Sequence, residues 1–340
     1  MDYFYMSQKD EEAKENPILV DLNEESNEKY ARATGIKGVG TEGIQEWLIK
    51  DICEEFKSWG HAGGVGGHII LKSDTEKSML AFRQAVAEFH GGVAVQESPA
   101  KGESESNGAV EGAGRIIKDF TRIFKLQIED KAGISIDSTD PIFQWCIRWA
   151  AMVASRYLVG VDGRTGWEKR RGRPCRLTTV PFGEKVWYKQ IREGKHKKNQ
   201  LETEEKEGIW LGPARNSNET LIGTKEGIIR AYTIKRQDSK SRWDGKLIKE
   251  MQGTPRQPNP TSTDYNIQTR VGKDLTIRRM MITQAMLVRY GYDEGCEGCR
   301  YKRAGLPSSR MHSEKCRSRI LEAMGETAER QGAPKETMKY

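Results

Sequence analysis

The feature that most constrains this 340-residue chain is an alternation, over its first 125 residues, of short apolar runs with segments whose apolar residues recur at helical spacing. Residues 1–6, rich in aromatic side chains, read as a strand, 17–20 as a second and 30–36 as a weaker third. Residues 41–59 place Ile44, Leu48, Ile52 and Phe56 on one helical face, with Thr41 as candidate N-cap. The glycine-rich stretch 60–67 ends that helix. It is not a phosphate-binding loop, because no Gly-Lys-Ser/Thr follows it. Residues 68–71 form a fourth strand that leads to Asp74. Residues 75–90 form a helix with Met79, Phe82, Val86 and Phe89 on one side, 93–95 form a fifth strand, and a third helix opens near Asn107.

The resulting order, βββαβαβα, predicts an α/β ribonuclease-H-like core: a mixed five-stranded sheet with helices on its faces, over residues 1–165. Residues 141–157 add a helix carrying Ile142, Trp145, Cys146, Trp149 and Val153. Across 180–236 the texture changes to short strands separated by turn residues such as Asn216, Asn218, Gly223 and Gly227. That predicts a small, SH3-like all-β barrel domain, with Trp187 and Trp210 in its core. Residues 237–279, with Pro255, Pro258 and Pro260, read as a linker. A zinc-binding module is expected over 280–325 and a disordered tail over 326–340.

Within the first core, three carboxylates fall where phosphodiester chemistry would need them. Two divalent cations about 4 Å apart can stabilise both attacking and leaving oxygens, and a few converging carboxylates suffice to hold them. Asp2 lies in the first strand, Asp74 ends the fourth, and Glu111 sits one turn into the third helix, with 36 residues between it and Asp74. Glu103 and Glu105 compete with Glu111 on spacing but precede the helix in a Gly/Ser-containing loop, and Asp21 follows its strand rather than lying within it. On the helix, Glu111, Arg115, Lys118, Arg122 and Lys125 share one stripe, while Ala113, Ile116, Ile117, Phe120, Ile123 and Phe124 face the other way. Two readings of that stripe stand: an amphipathic surface helix, or a metal-holding carboxylate heading a row of phosphate contacts.

These segments, Met1-Asp2-Tyr3-Phe4, Leu71-Lys72-Ser73-Asp74-Thr75-Glu76 and Glu97-Ser98-Pro99 through Asn107-Gly108-Ala109-Val110-Glu111, resemble the integrase core of copia-type retrotransposon polyproteins, and more narrowly the copia-like elements of dinoflagellate genomes. The resemblance continues through residues 145–157, Gly163-Arg164-Thr165 and Phe182-Gly183-Glu184-Lys185-Val186-Trp187. It implies a polynucleotidyl transferase that uses Mg²⁺ or Mn²⁺ for 3′-end processing and for strand transfer of element DNA ends into target DNA. It also implies that Asp2, Asp74 and Glu111 bind the metal, and that Asn107 and the helix cations contact DNA. A homo-oligomer and a nuclear location follow from the same resemblance. The family's upstream His/His/Cys/Cys zinc domain and its downstream reverse transcriptase lie outside these residues, so a truncated copy is expected.

Near the other end, Cys296-x2-Cys299-x12-His312-x3-Cys316 has the spacing of a tetrahedral Zn²⁺ site whose four positions are all filled by protein. Arg300, Lys302, Arg303, Arg310, Lys315, Arg317 and Arg319 surround it. Both a nucleic-acid-binding finger and a purely structural staple are compatible with that setting. Charge divides the same way: residues 1–150 carry a balance of −9 and residues 151–340 one of +16, within a net +7. The basic half therefore suits a polyanion partner. The Lys195-His196-Lys197-Lys198 run reads as a solvated loop. No run of about 18 apolar residues exists, so no membrane span or membrane partner is expected. Two further functions stay open beside the integrase: a non-catalytic nucleic-acid-binding remnant, and a ribonuclease-H-fold nuclease that cuts without joining.

Overall fold

The computed structural model describes all residues except 14, 41–44, 99–106, 178, 190–204, 216, 218, 262–281, 307–309 and 331–340, together with the side chains of 325–330. Thr41, Glu103, Glu105, Asn216, Asn218, the 195–198 run and most of the expected tail therefore lie outside the described residues. The chain divides into two compact units, Met1–Arg270 and Val271–Tyr340. Among the described residues no helix is long and apolar enough to cross a membrane.

The first unit opens with an antiparallel sheet in the order β1 (Asp2–Phe4), β2 (Ile18–Leu22), β3 (Lys29–Ala33). A short helix, α1 (Gln8–Ala13), lies between β1 and β2, where the sequence suggested a direct hairpin; it buries no side chain, so no apolar period announced it. Helix α2 (Glu46–Trp59), strand β4 (His68–Lys72), helix α3 (Lys77–His90), strand β5 (Val93–Glu97) and helix α4 (Gly108–Ala132) follow. β4 and β5 pair in parallel, from His68 opposite Val93 to Lys72 opposite Glu97. The two sheets meet where the Met1 nitrogen donates to the Lys72 carbonyl at 2.8 Å, which sets β1 beside β4.

β2 is buried on both faces, and that explains its unbroken Ile18-Leu19-Val20 run. Leu19, with Tyr3 and Tyr30, packs against Trp47, Leu48, Ile52 and Phe56 of α2 and Phe82 of α3. Ile18, Val20 and Ala31 face the other way, into a larger cluster with Ile117 of α4 and Trp145, Ile147 and Trp149 of α5 (Pro141–Tyr157). α5 begins and ends where its apolar spacing predicted.

After α6 (Gly166–Arg171), a second antiparallel sheet runs in the order β10-β6-β7-β8-β9, formed by β6 (Lys185–Lys189), β7 (Glu205–Pro213), β8 (Thr220–Gly223), β9 (Ile228–Ala231) and β10 (Ile234–Arg236). This sheet and the 1–165 segment share one core. Trp149 of α5 meets Trp210 of β7 edge to face at 4.9 Å, and Val186, Leu211 and Ile222 belong to the same cluster as Ile18. A four- or five-stranded sheet needs something to cover its apolar face, and here α4 and α5 supply the cover.

The described part of the expected linker is also packed. Residues 245–250 form α7 (Gly245–Glu250), with Asp244 accepting from the Leu247 amide as N-cap. Ile248 and Met251 are buried, and the Trp145 indole donates to the Gly253 carbonyl at 2.9 Å. In the second unit, α8 (Gln284–Tyr290), α9 (Glu297–Arg303) and α10 (Glu314–Arg330) surround Ile282, Leu287, Ile320 and three cysteines.

Candidate metal centres

The second unit is built around four side chains. Cys296 is the residue before α9, Cys299 lies in its first turn, and His312 and Cys316 flank the start of α10. All four are buried, and their ligand atoms lie within 4.8 Å of one another. His312 Nδ1 is 3.5 Å from the sulfurs of Cys296 and Cys299 and 3.8 Å from that of Cys316, while Cys299 and Cys316 are 3.5 Å apart. A tetrahedral ion with bonds of about 2.3 Å to sulfur and about 2.0 Å to nitrogen has edges of about 3.5–3.8 Å. The cluster is therefore the size of a Cys₃His zinc site, and it could hold such an ion.

Local structure prepares the ligands. Burial would raise the Cys296 thiol, but amide donors from Ser313, at 3.3 Å, and from Cys299, with His312 beside them, bring it down to about 6. Cys316, buried beside two other sulfurs, is pushed up to about 12. A cation shared by the sulfurs would remove that opposition, because a metal takes its cysteine ligands as thiolates. Gly298, between the two leading cysteines, is required by space: a Cβ there would sit 2.9 Å from the His312 ring. This small unit draws half of its described apolar core from the cysteine ligands themselves, so metal and fold are one question.

The three carboxylates of the first unit are gathered less tightly. Strand alternation sends Tyr3 to the α2–α3 side and leaves Asp2 and Phe4 facing α4. There Gly114 of α4 lies against Phe4; a Cβ at 114 would be 3.3 Å from the ring. The close approach brings the first turn of α4, with Glu111, over the start of β1. Asp2 accepts from the Tyr3 amide at 2.7 Å, yet burial, and then the charges of Asp74 and Glu111, hold its carboxyl above the ordinary range. The three are thus electrostatic neighbours. They do not form a group whose ligand atoms lie within 4.8 Å, a criterion that among the described residues the Cys/His cluster meets.

Asp74 is positioned by a residue the sequence did not single out. Arg83 of α3, buried, donates to the Ser73 hydroxyl at 3.1 Å and the Ser98 hydroxyl at 3.0 Å, to the Glu97 carbonyl, and through Nε to Gln96 at 3.2 Å. It ties the end of β4, where Asp74 emerges, to the end of β5. An arginine facing inward from an otherwise apolar helix side was the available signal.

The expected DNA contacts are unequally free. Arg115 is exposed, whereas Lys118 lies over the Phe4 ring at 5.0 Å. Arg122 pairs with Asp119 at 3.1 Å and Lys125 with Glu129 at 2.6 Å. The stripe is therefore partly neutralised along the helix, and the row of uncompensated cations is shorter than the spacing suggested. Ile123, expected on the buried side, is exposed, while Thr121 and Ile128 are buried in its stead. Asn107 precedes α4 without a side-chain capping bond and lines a cavity of about 660 Å³ bounded by Ile70, Val93 and Val95.

No family model matches the chain, and no curated protein matches it. Among solved structures it is similar to the catalytic core domain of BIV integrase, at 16% identity and TM-score 0.35 over 51% of this chain and 91% of that one. It is also similar to a chain of the simian T-cell lymphotropic virus intasome solved with the PP2A regulatory subunit B56 gamma, at 14% identity and TM-score 0.33 over 65% of this chain and 72% of that one.

Proposed function

We propose that the first unit is a DNA integrase of retrotransposon type, a polynucleotidyl transferase that joins element DNA ends to target DNA with two Mg²⁺ or Mn²⁺ ions. The observation that carries the reading is the placement of three carboxylates from distant elements, β1, the end of β4 and the first turn of α4, close enough for Asp74 and Glu111 to raise Asp2. Three like charges gathered at one edge of a sheet repel, and divalent cations would relieve that repulsion while polarising a phosphodiester. Asp2, Asp74 and Glu111 would hold the ions, and Asn107 and Arg115 would lie beside the DNA. The metal supplies Lewis acidity and a lowered pKa for bound water; the chain supplies the orientation. The ribonuclease-H-like order, the copia-type likeness of these segments, a nuclear site of action and a homo-oligomer belong to the same proposal. The second unit is proposed to hold Zn²⁺ through Cys296, Cys299, His312 and Cys316.

The experiment is an Mg²⁺-dependent strand-transfer assay on the full chain, comparing wild type with Glu111→Gln and Asp74→Asn. A loss of roughly 10²–10³-fold in both variants is expected, the scale of removing one preorganised electrostatic contact. Equal joining by wild type and variants sinks the assignment. The wider spacing of the carboxylate oxygens, and the pairing of Arg122 and Lys125 within α4, favour a second reading: a nucleic-acid-binding remnant without activity. That reading predicts salt-sensitive DNA binding with neither joining nor cutting. A cut but unjoined product would identify a nuclease.

A further inference from the structure

A second concentration of charge in the first unit lies away from the three carboxylates. Lys29 and Arg32 of β3, Arg148 and Arg156 of α5, Arg170 and Arg171 of α6, and Arg215 just after β7 border a cavity of about 30 Å³. Three carboxylates serve these seven cations, which leaves an excess of four positive charges. Each carboxylate is already taken. Asp51 pairs with Arg215 at 2.6 Å and with Arg32 at 2.9 Å, Glu55 pairs with Arg215 at 2.6 Å, and Glu28 receives Arg170 at 2.9 Å.

Four cations are left without a carboxylate among the described residues: Lys29, whose ammonium donates to Asn27, Arg171, which lies over Trp167, and the two buried arginines of α5, Arg148 and Arg156. Arg148 is 5% exposed; its Nη2 donates to the Pro213 carbonyl at 2.8 Å, but its Nη1 is buried without a partner among the described residues. Arg156, 8% exposed, stacks on the Trp167 ring at 4.6 Å and has no carboxylate partner among the described residues. Burial, with Arg32 and Arg215 adding like charge, outweighs the attraction of Asp51 and Glu55 and pulls Arg148 well below the usual guanidinium range. A guanidinium cannot escape by losing its proton as a lysine can, so an uncompensated buried arginine calls for an anion.

We propose that this cavity is a binding site for a phosphate-type oxyanion, held by the fork of Arg148 and by Arg156. A tetrahedral dianion presents several acceptor oxygens, matches planar guanidinium donors, and would cancel the charge these two residues bring. The cavity exceeds the roughly 10–15 Å³ a single water needs, yet it is small. That volume favours inorganic phosphate or a terminal phosphate over a DNA diester, which would need space for a chain on both sides of the phosphorus. The bound anion would join β3, α5, α6 and the segment after β7 at one point. The inference does not rest on the carboxylates or on any integrase activity.

The test follows thermal unfolding and calorimetric binding of the full chain with inorganic phosphate at fixed ionic strength, with potassium chloride as control and a short unphosphorylated DNA duplex as a separate arm. A saturable rise of about 5 °C is expected at a phosphate concentration about 100 times Kd. Arg148→Met should raise Kd at least tenfold, while its phosphate-free melting temperature stays at or above that of wild type, because the substitution removes an unpaired buried charge. Arg156→Met should weaken phosphate binding with Arg148 intact. Glycerol phosphate binding as tightly as inorganic phosphate would assign the site to phosphomonoesters, and much weaker binding would assign it to the free ion; both support the proposal. No saturable rise beyond the chloride control overturns it. So does an unchanged phosphate response in Arg148→Met, or displacement of phosphate by the unphosphorylated duplex.

Discussion

The two candidate metal centres differ in how each holds its ligands together before any ion arrives. In the second unit, three sulfurs and a ring nitrogen converge to tetrahedral edges, because a thiol can stay neutral and a small Cys-x2-Cys turn spans little chain. In the first unit the ligands are carboxylates drawn from β1, β4 and α4. They stand close enough for Asp74 and Glu111 to raise Asp2 but remain wider apart than the Cys/His ligands. A hard-oxygen site for Mg²⁺ keeps several waters and needs fewer protein contacts. The lesson is that the Cys/His cluster is complete in its ligand geometry, whereas the carboxylate group is legible chiefly in the elements that aim at a common point.

Removing metal should break the comparison most sharply. A chelator strong enough to strip Zn²⁺, or Cys299→Ser, should unfold the second unit outright, since structural zinc contributes on the order of 10–16 kcal/mol in small modules. Elemental analysis together with circular dichroism of the full chain checks this, and the first unit's melting transition should not move. Gly114→Leu comes next. The added side chain would push α4 off Phe4 at a cost of about 1–3 kcal/mol, and a shift of about 1 Å in Glu111 should lower strand transfer about 10²-fold while zinc content is unchanged. Arg83→Met should leave the Glu97 carbonyl and two serine hydroxyls without their donor, costing about 1–3 kcal/mol. Its Mg²⁺ requirement, read from a titration of activity, should rise about tenfold.

The smallest effect concerns pH. Because the Asp2 carboxyl is raised in the folded chain, its contribution to stability is whole below the ordinary carboxylate value of about 4 and is lost as pH rises through the raised value. Mg²⁺ at about ten times its Kd should therefore raise the first unit's melting temperature by about 3 °C at pH 7, and by much less at pH 4. An equal rise at both values would remove carboxylate repulsion from the account.

Much of this was readable from residues alone. α5 keeps the bounds its spacing set, the strands of the first sheet and the β4–β5 pair lie where apolar runs put them, and the Cys/His cluster closes as its spacing required. What escaped has physical reasons. α1, α6 and α7 are six residues each, too short for a period to register. The shared core escaped because Trp149 and Trp210 are apolar whichever partner they meet. In α5 the apolar spacing gave the helix and its bounds but not its burial nearly all round, Arg148 and Arg156 included. Arg83 escaped for a similar reason, as a polar residue that faces inward satisfies main-chain groups that sequence does not locate. Pairings such as Arg122 with Asp119 were open to inspection along the helix, yet the stripe reading counted cations and not their neighbours.

The ion pairs of α2 have a consequence in time. Asp51 and Glu55 appear early in synthesis, yet their partner Arg215 follows Asp51 by 164 positions. At ribosomal speeds of ~5–20 residues per second, that is an interval of about 10–30 s. During that interval α2 can pack its apolar face and Asp51 can pair with Arg32, already made, but Glu55 must stay in water. The ion-pair face of the nascent helix thus stays incomplete until the segment just after β7 arrives, and a pause in translation before residue 215 would prolong that state.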